Sequence, residues 1–267
     1  MKRLIFKTHG SCKSNWEVKL SKGEVGKRYN TSSGGVCEIV RYINAKDVEV
    51  QFLDEHKHRV KTEMGNIRRG NVRNPFTKSV FGVGFLGSGV FTSKTGGKQT
   101  LEYIVWNSMM ARCYGRLFQE SNPTYVGCSV HPDWHNFQNF ADWYVNQEFY
   151  GLGYELDKDL LCKGNKVYSA ETCCLVPRQL NTLLNTKKRG KNDLPVGVHK
   201  EVGSGRFRAS YAKYGKAKYL GVFQTAGEAR KEYLIAKREH IKSVVSDWEG
   251  LVDKRVLKKI LEWEENE

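Results

Sequence analysis

Between about Glu24 and Pro75, hydrophobic and polar positions alternate in the manner of strands, in VCEIVRYI, DVEVQFLD and HRVKTEMGNI. Turn-forming residues separate them at Ser33 to Gly35, Asn44 to Asp47 and Asp54 to His56. Short strands at this spacing predict a small β-barrel-like module over residues 1–85, with Arg68, Arg69 and Arg73 as a basic edge. Val80 to Thr100 is rich in Gly, Ser and Thr and reads as a glycine-rich hairpin or connector at a module boundary. Its GVGFLGSG holds a G-x-G-x-x-G, but no helical pattern follows closely, so it is not read as a phosphate loop.

From Leu101 the period becomes helical. Tyr103, Trp106, Met109, Met110 and Cys113 fall on one face, with Arg112 and Arg116 on another. After a turn at Asn122 and Pro123, HPDWHNFQNFADWYVNQ predicts a second helix starting near Pro132, with Trp134, Phe137, Phe140, Trp143 and Tyr144 inward. Leu156 to Asn181, LDKDLLCKGNKVYSAETCCLVPRQLN, gives a short carboxylate-bearing strand, a turn at Gly164 and Asn165, and a Pro-initiated helix. The linker NTKKRGKNDLP carries Lys187, Lys188, Arg189 and Lys191, the composition of a connector that touches phosphates.

Leu194 to Ala236 contains three short strands and then a helix, for which Thr225 is the N-cap and Glu228 its capping-box partner. On the middle strand Phe207, Ala209 and Tyr211 share an apolar face, and Arg206, Arg208 and Ser210 take the opposite one. The closing LVDKRVLKKILEWEE puts Val252, Val256, Ile260 and Trp263 at helical spacing. That stripe serves either packing back on the chain or a homodimer. The expected class is therefore α+β in several modules: 1–85, 99–185, 193–245 and a final amphipathic helix over 246–267.

Composition narrows the function. Against 29 Asp and Glu stand 44 Lys and Arg, a formal charge of +15 that points to nucleic acid as partner. No apolar run is long enough to span a bilayer, and the apolar core of MKRLIFKTHG is too short for a signal peptide, so no membrane role and a cytoplasmic location are expected. Seven cysteines, two of them adjacent at Cys173 and Cys174, make a poor disulfide framework and fit a reducing compartment. Cys128 with His131, and His131 with His135, have metal-ligand spacing; buried thiols and capping histidines are the ordinary alternatives.

Two resemblances sharpen this. GVHK at 197–200, the glycine before Arg206 and Phe207, YLGVF at 219–223 and TAGEA at 225–229 resemble the Apetala-type, or ethylene-response-factor-type, DNA-binding domain. The resemblance implies a sheet that enters the major groove of double-stranded DNA with a helix behind it. It places His199, Ser210 and Tyr219 at base- or sugar-contacting positions, with Arg206 and Arg208 on the same face. Lys200, Lys213, Lys216 and Lys218 are read as phosphate contacts. Ala212 and Val196 stand where the plant proteins carry arginine, so their target sequence is not inherited.

LDKD followed by ETCCLVPRQLN resembles the ββα element of HNH nucleases. That resemblance implies catalytic roles for Asp157, Lys158, Asp159 and Asn181, with Asp157 and Asp159 as ligands of Mg²⁺. Lys158 stands where the family has its histidine base and Thr172 where an asparagine is usual. Together the two elements resemble bacteriophage relatives of homing endonucleases, whose tail selects a DNA site that the middle cuts, in a bacterial host cell. Hydrolysis and a catalytically silent DNA binder, such as a repressor, are the two readings left open.

Overall fold

A computed structural model describes residues 23–183, 194–213 and 216–262. The basic linker with Lys187, Lys188, Arg189 and Lys191, the turn at Tyr214 and Gly215, and Trp263 lie outside these residues. The described chain is mixed α+β. It divides into two compact units, Met1–Thr77 and Lys78–Glu267.

In the first unit β1 (Arg28–Asn30), β2 (Val36–Asn44), β3 (Asp47–Phe52) and β4 (Arg59–Thr62) form an antiparallel meander in chain order. Alternation sends Cys37, Ile39, Val48, Val50 and Phe52 inward, where Met64 and Ile67 of α1 (Met64–Arg68) cover them. The expected barrel is thus corrected. The sheet is open, because the four-residue β4 pairs with β3 alone and a helix rather than more strand closes the apolar face. His56 and His58 bracket Phe76, His56 stacked at 4.1 Å between centroids.

The second unit begins with the glycine-rich stretch, which is no loose connector. A short hairpin, β5 (Lys94–Thr95) and β6 (Lys98–Gln99), follows a segment whose Val80, Val83, Leu86 and Phe91 pack on the central core. The Gln138 amide donates to Leu86 O at 3.1 Å and Phe91 O at 2.9 Å, and its oxygen accepts from the Phe91 N–H. A Cβ on Gly84 would lie 2.9 Å from Trp106 and Met110, so this glycine serves close approach to a helix.

That helix is α2 (Leu101–Tyr114), burying Trp106, Met109, Met110 and Cys113; a short α3 (Arg116–Ser121) follows. The second aromatic helix starts later than the sequence predicts. Pro132 opens only a 3₁₀ turn, and α4 (Phe137–Val145) begins after Asn136, whose side chain accepts the Gln138 N–H. The stretch Leu156 to Asn181 forms β8 (Glu155–Asp157) and β10 (Cys174–Val176), paired antiparallel, then α5 (Arg178–Leu183). Its intervening loop contributes β9 (Val167–Tyr168), which pairs parallel with β7 (Ser129–Val130) of the central core.

The sheet β11 (Val198–Lys200), β12 (Phe207–Lys213) and β13 (Lys216–Phe223) is antiparallel in chain order. Across it runs α6 (Ala226–Asp247), opened by the predicted capping box of Thr225 and Glu228. The last helix, α7 (Lys254–Leu261), buries Val256, Leu257 and Ile260 in one cluster with Cys174, Val176, Leu180, Ile241 and Val244. Its apolar stripe is thus spent within the chain. Among the described residues no helix is long and apolar enough to cross a membrane.

Candidate nucleic-acid interface

Register fixes what each face of the last sheet presents. Val198 opposes Ala209, and Phe207 opposes Phe223; these pack with Leu220 and Ala229 against α6. One step along, His199 opposes Arg208, which opposes Val222, and Ser210 opposes Tyr219. A register shift between Ala209 and Ser210 lets Leu220 turn inward while Tyr219 stays out, 60% exposed. His199, Arg208, Ser210 and Tyr219 therefore share the face turned away from α6, and the exposed Arg206 stands immediately before β12, in alternation with Arg208. Ala212 and Ala217, opposite each other, lie on that same open face at the far end of the strands.

The lysines divide differently. Lys200 opposes Phe207 and Lys218 opposes Tyr211, so alternation puts these two, and Lys216 two residues before Lys218, on the helix side of the sheet, at its margins. Lys200, Lys216 and Lys218 are exposed; the side chain of Lys213 lies outside the described residues. Sequence alternation along one strand could not reveal this, because the register of β11 and β13 is a property of their partners.

Packing behind the sheet fixes its first strand. Gly197 has a φ of +82°, and a Cβ there would lie 2.0 Å from the Tyr233 ring. The Arg230 guanidinium sits over that ring at 5.0 Å and donates to Val196 O at 2.6 Å. Where the plant pattern has arginine, Val196 thus contributes its carbonyl to a helix arginine.

The hairpin and helix form a second polar cluster. Asp157 Oδ1 accepts the N–H groups of Asp159 and Leu160 at 2.9 and 2.7 Å, closing a turn at the end of β8. Burial, partly offset by the Leu160 N–H and joined by the charge of Asp159, raises the pKa of Asp157. Lys158 is buried, its Nζ 2.9 Å from Asp159 Oδ2 and 5.7 Å from the centre of the Tyr168 ring. Burial favours the neutral amine, but the hydrogen bond and charge of Asp159 outweigh it and the pKa ends above the ordinary lysine value. The position where the HNH pattern has its histidine is thus filled by a buried lysine paired with Asp159.

Asn181 stands apart from Asp157 and Asp159 in its contacts: its Nδ2 donates to Glu155 Oε2 at 3.0 Å, and Arg178 lies 4.0 Å from Glu155 Oε1. Arg112 approaches the same region from α2, where it interacts electrostatically with Tyr168 and Glu155. Glu155 was legible, two residues before Asp157 on an alternating strand; Arg112 and Tyr168 were not, since only tertiary packing brings them here. Asp157 and Asp159 offer the hard oxygen donors that suit Mg²⁺, which takes one or two carboxylates and fills its shell with water and phosphate oxygens. Asp157 Oδ1 is already held by two backbone N–H groups and Asp159 Oδ2 by Lys158, and no group of three or more His, Cys, Asp or Glu gathers for a metal among the described residues.

The other candidate metal positions do not assemble. The His131 ring accepts the Asp133 N–H and caps the 3₁₀ turn. His135 instead faces Val130 O at 3.1 Å and Tyr114 Oη at 3.4 Å, and burial lowers its pKa. Cys128 is buried in the central core. No family model, curated protein or solved structure matches the chain.

Proposed function

We propose that this chain binds double-stranded DNA, with the open face of β11 to β13 against the major groove. The observation that carries the reading is the gathering of His199, Arg206, Arg208, Ser210 and Tyr219 on one exposed face whose reverse is closed by α6. A duplex groove about 12 Å wide admits a β-ribbon, arginine pairs bidentately with guanine, and the formal charge of +15 supplies the long-range attraction. Lys200, Lys216 and Lys218, at the margins on the helix side, add to the positive field around that face. Val196 and Ala212 make the site preference this chain's own.

In this reading the hairpin and helix, β8, β10 and α5, add a binding surface without hydrolysis, with Lys158 paired to Asp159 in the histidine position. A second reading, metal-dependent phosphodiester hydrolysis, draws on the neighbouring carboxylates of Asp157 and Asp159. They would hold Mg²⁺, which when bound stabilises charge on the phosphate. A supercoiled-plasmid assay with Mg²⁺ or Mn²⁺, run beside a gel shift, separates the two. The first reading expects a shifted duplex and an intact supercoil; nicking that disappears when Asp157, Asp159 and Asn181 are replaced would establish the second.

A further inference from the structure

The long helix α6 belongs to two cores at once. Its buried residues Ala229, Arg230, Tyr233, Lys237, His240, Ile241 and Val244 form one stripe along its length. The N-terminal end of that stripe meets the sheet, through Ala229 in one apolar cluster and Tyr233 against Gly197. The C-terminal end, Ile241 and Val244, lies in the cluster that holds Cys174 and Val176 of β10 and Leu180 of α5. Between these apolar ends the stripe turns polar at Lys237 and His240, and His240 lies 5.5 Å from Tyr211 of the sheet, ring centre to ring centre.

Two cations on this stripe hold backbone from different elements. Arg230 donates to Val196 O, at the entry to β11, and Lys237 Nζ donates to Leu183 O, the last residue of α5, at 2.8 Å. They are seven residues apart on one helix, two turns and a rise of about 10.5 Å. A buried lysine is costly to desolvate, and burial does lower the Lys237 pKa. A leucine or methionine would serve packing alone, whereas the ammonium adds a directed bond to the C-terminal carbonyl of α5, where a positive charge is also favoured by the helix dipole.

We infer that Arg230 and Lys237 are positioning residues that lock the DNA-facing sheet and the hairpin–helix element to one rigid helix. The protein then offers a duplex two surfaces at a set separation. This rests on the DNA-binding reading above and goes beyond it. Neither residue touches DNA in this account: Arg230 sets β11, and through it His199, while Lys237 sets α5, and through it Arg178.

Hydroxyl-radical footprinting on a bound duplex tests this with wild type, Lys237→Met and Lys237→Arg. Wild type is expected to protect two patches at constant spacing, one from the sheet and one from the hairpin and helix. In Lys237→Met the sheet patch should persist, while the second patch fades at least threefold or spreads over neighbouring nucleotides; Lys237→Arg, which can still donate to Leu183 O, should restore it. Hydrogen exchange of the free variants serves as control. Faster exchange confined to α5 in Lys237→Met, with β12 unchanged, is the expected result. A Lys237→Met protein that folds and gives both patches unaltered overturns the inference while leaving DNA binding intact. A wild-type protein that protects no duplex overturns the DNA-binding reading itself.

Discussion

At Gly197 a single methyl group would decide whether β11 forms. The residue combines a left-handed φ with a tyrosine ring where its Cβ would be, so neither backbone nor side chain can give cheaply. Gly197→Ala is expected to destabilise the second unit by about 2–4 kcal/mol, read from urea unfolding. The thiols make a second prediction at this scale. Burial pushes Cys113 and Cys173 up to about 12, whereas an unfolded thiol ionises near about 8.5. The folded chain keeps protons that the unfolded chain releases, so their contribution is whole below about pH 8.5 and is lost as pH rises towards 12. Unfolding free energy measured from pH 8 to 10.5 should fall with pH, and Cys173→Ala should make the slope shallower. A slope unchanged by that substitution contradicts the assignment. Lys158 stands out in the sequence by its position, and its pairing with Asp159, the next residue, is local; its burial beside the Tyr168 ring comes from the fold.

Among elements, α6 was the most legible at its start and the least legible along its length. The T-A-G-E signal gave the cap to the residue, since both hydrogen bonds of a capping box are local. Thr225→Ala should cost about 1 kcal/mol, visible as a lower thermal midpoint. What the pattern could not give was the change of partner halfway along the helix, where the polar residues Lys237 and His240 are buried. The glycine-rich stretch does contain a hairpin, β5 with β6, but its packing was not legible for a related reason. Gly, Ser and Thr are the letters of a connector, but here glycine lets the chain lie against Trp106 and Met110, and Gln138, nearly fifty residues later, ties it down. In the first unit period-2 alternation located the strands, while barrel closure depended on pairing that alternation does not specify.

At the scale of the whole molecule, the proposal brings an exposed sheet face against a duplex. Charge alone would bind any polyanion, so the test turns on the difference between the general field and five side chains on one face. The direct measurement is fluorescence-anisotropy titration of a duplex across a series of salt concentrations, comparing wild type with the Arg206→Ala, Arg208→Ala double variant. Wild-type affinity is expected to fall linearly with salt on logarithmic axes. The double variant is expected to bind about ten- to several-hundredfold more weakly at moderate salt, with an unchanged circular dichroism spectrum. Equal affinity of the two folded proteins across the salt series would contradict the proposal.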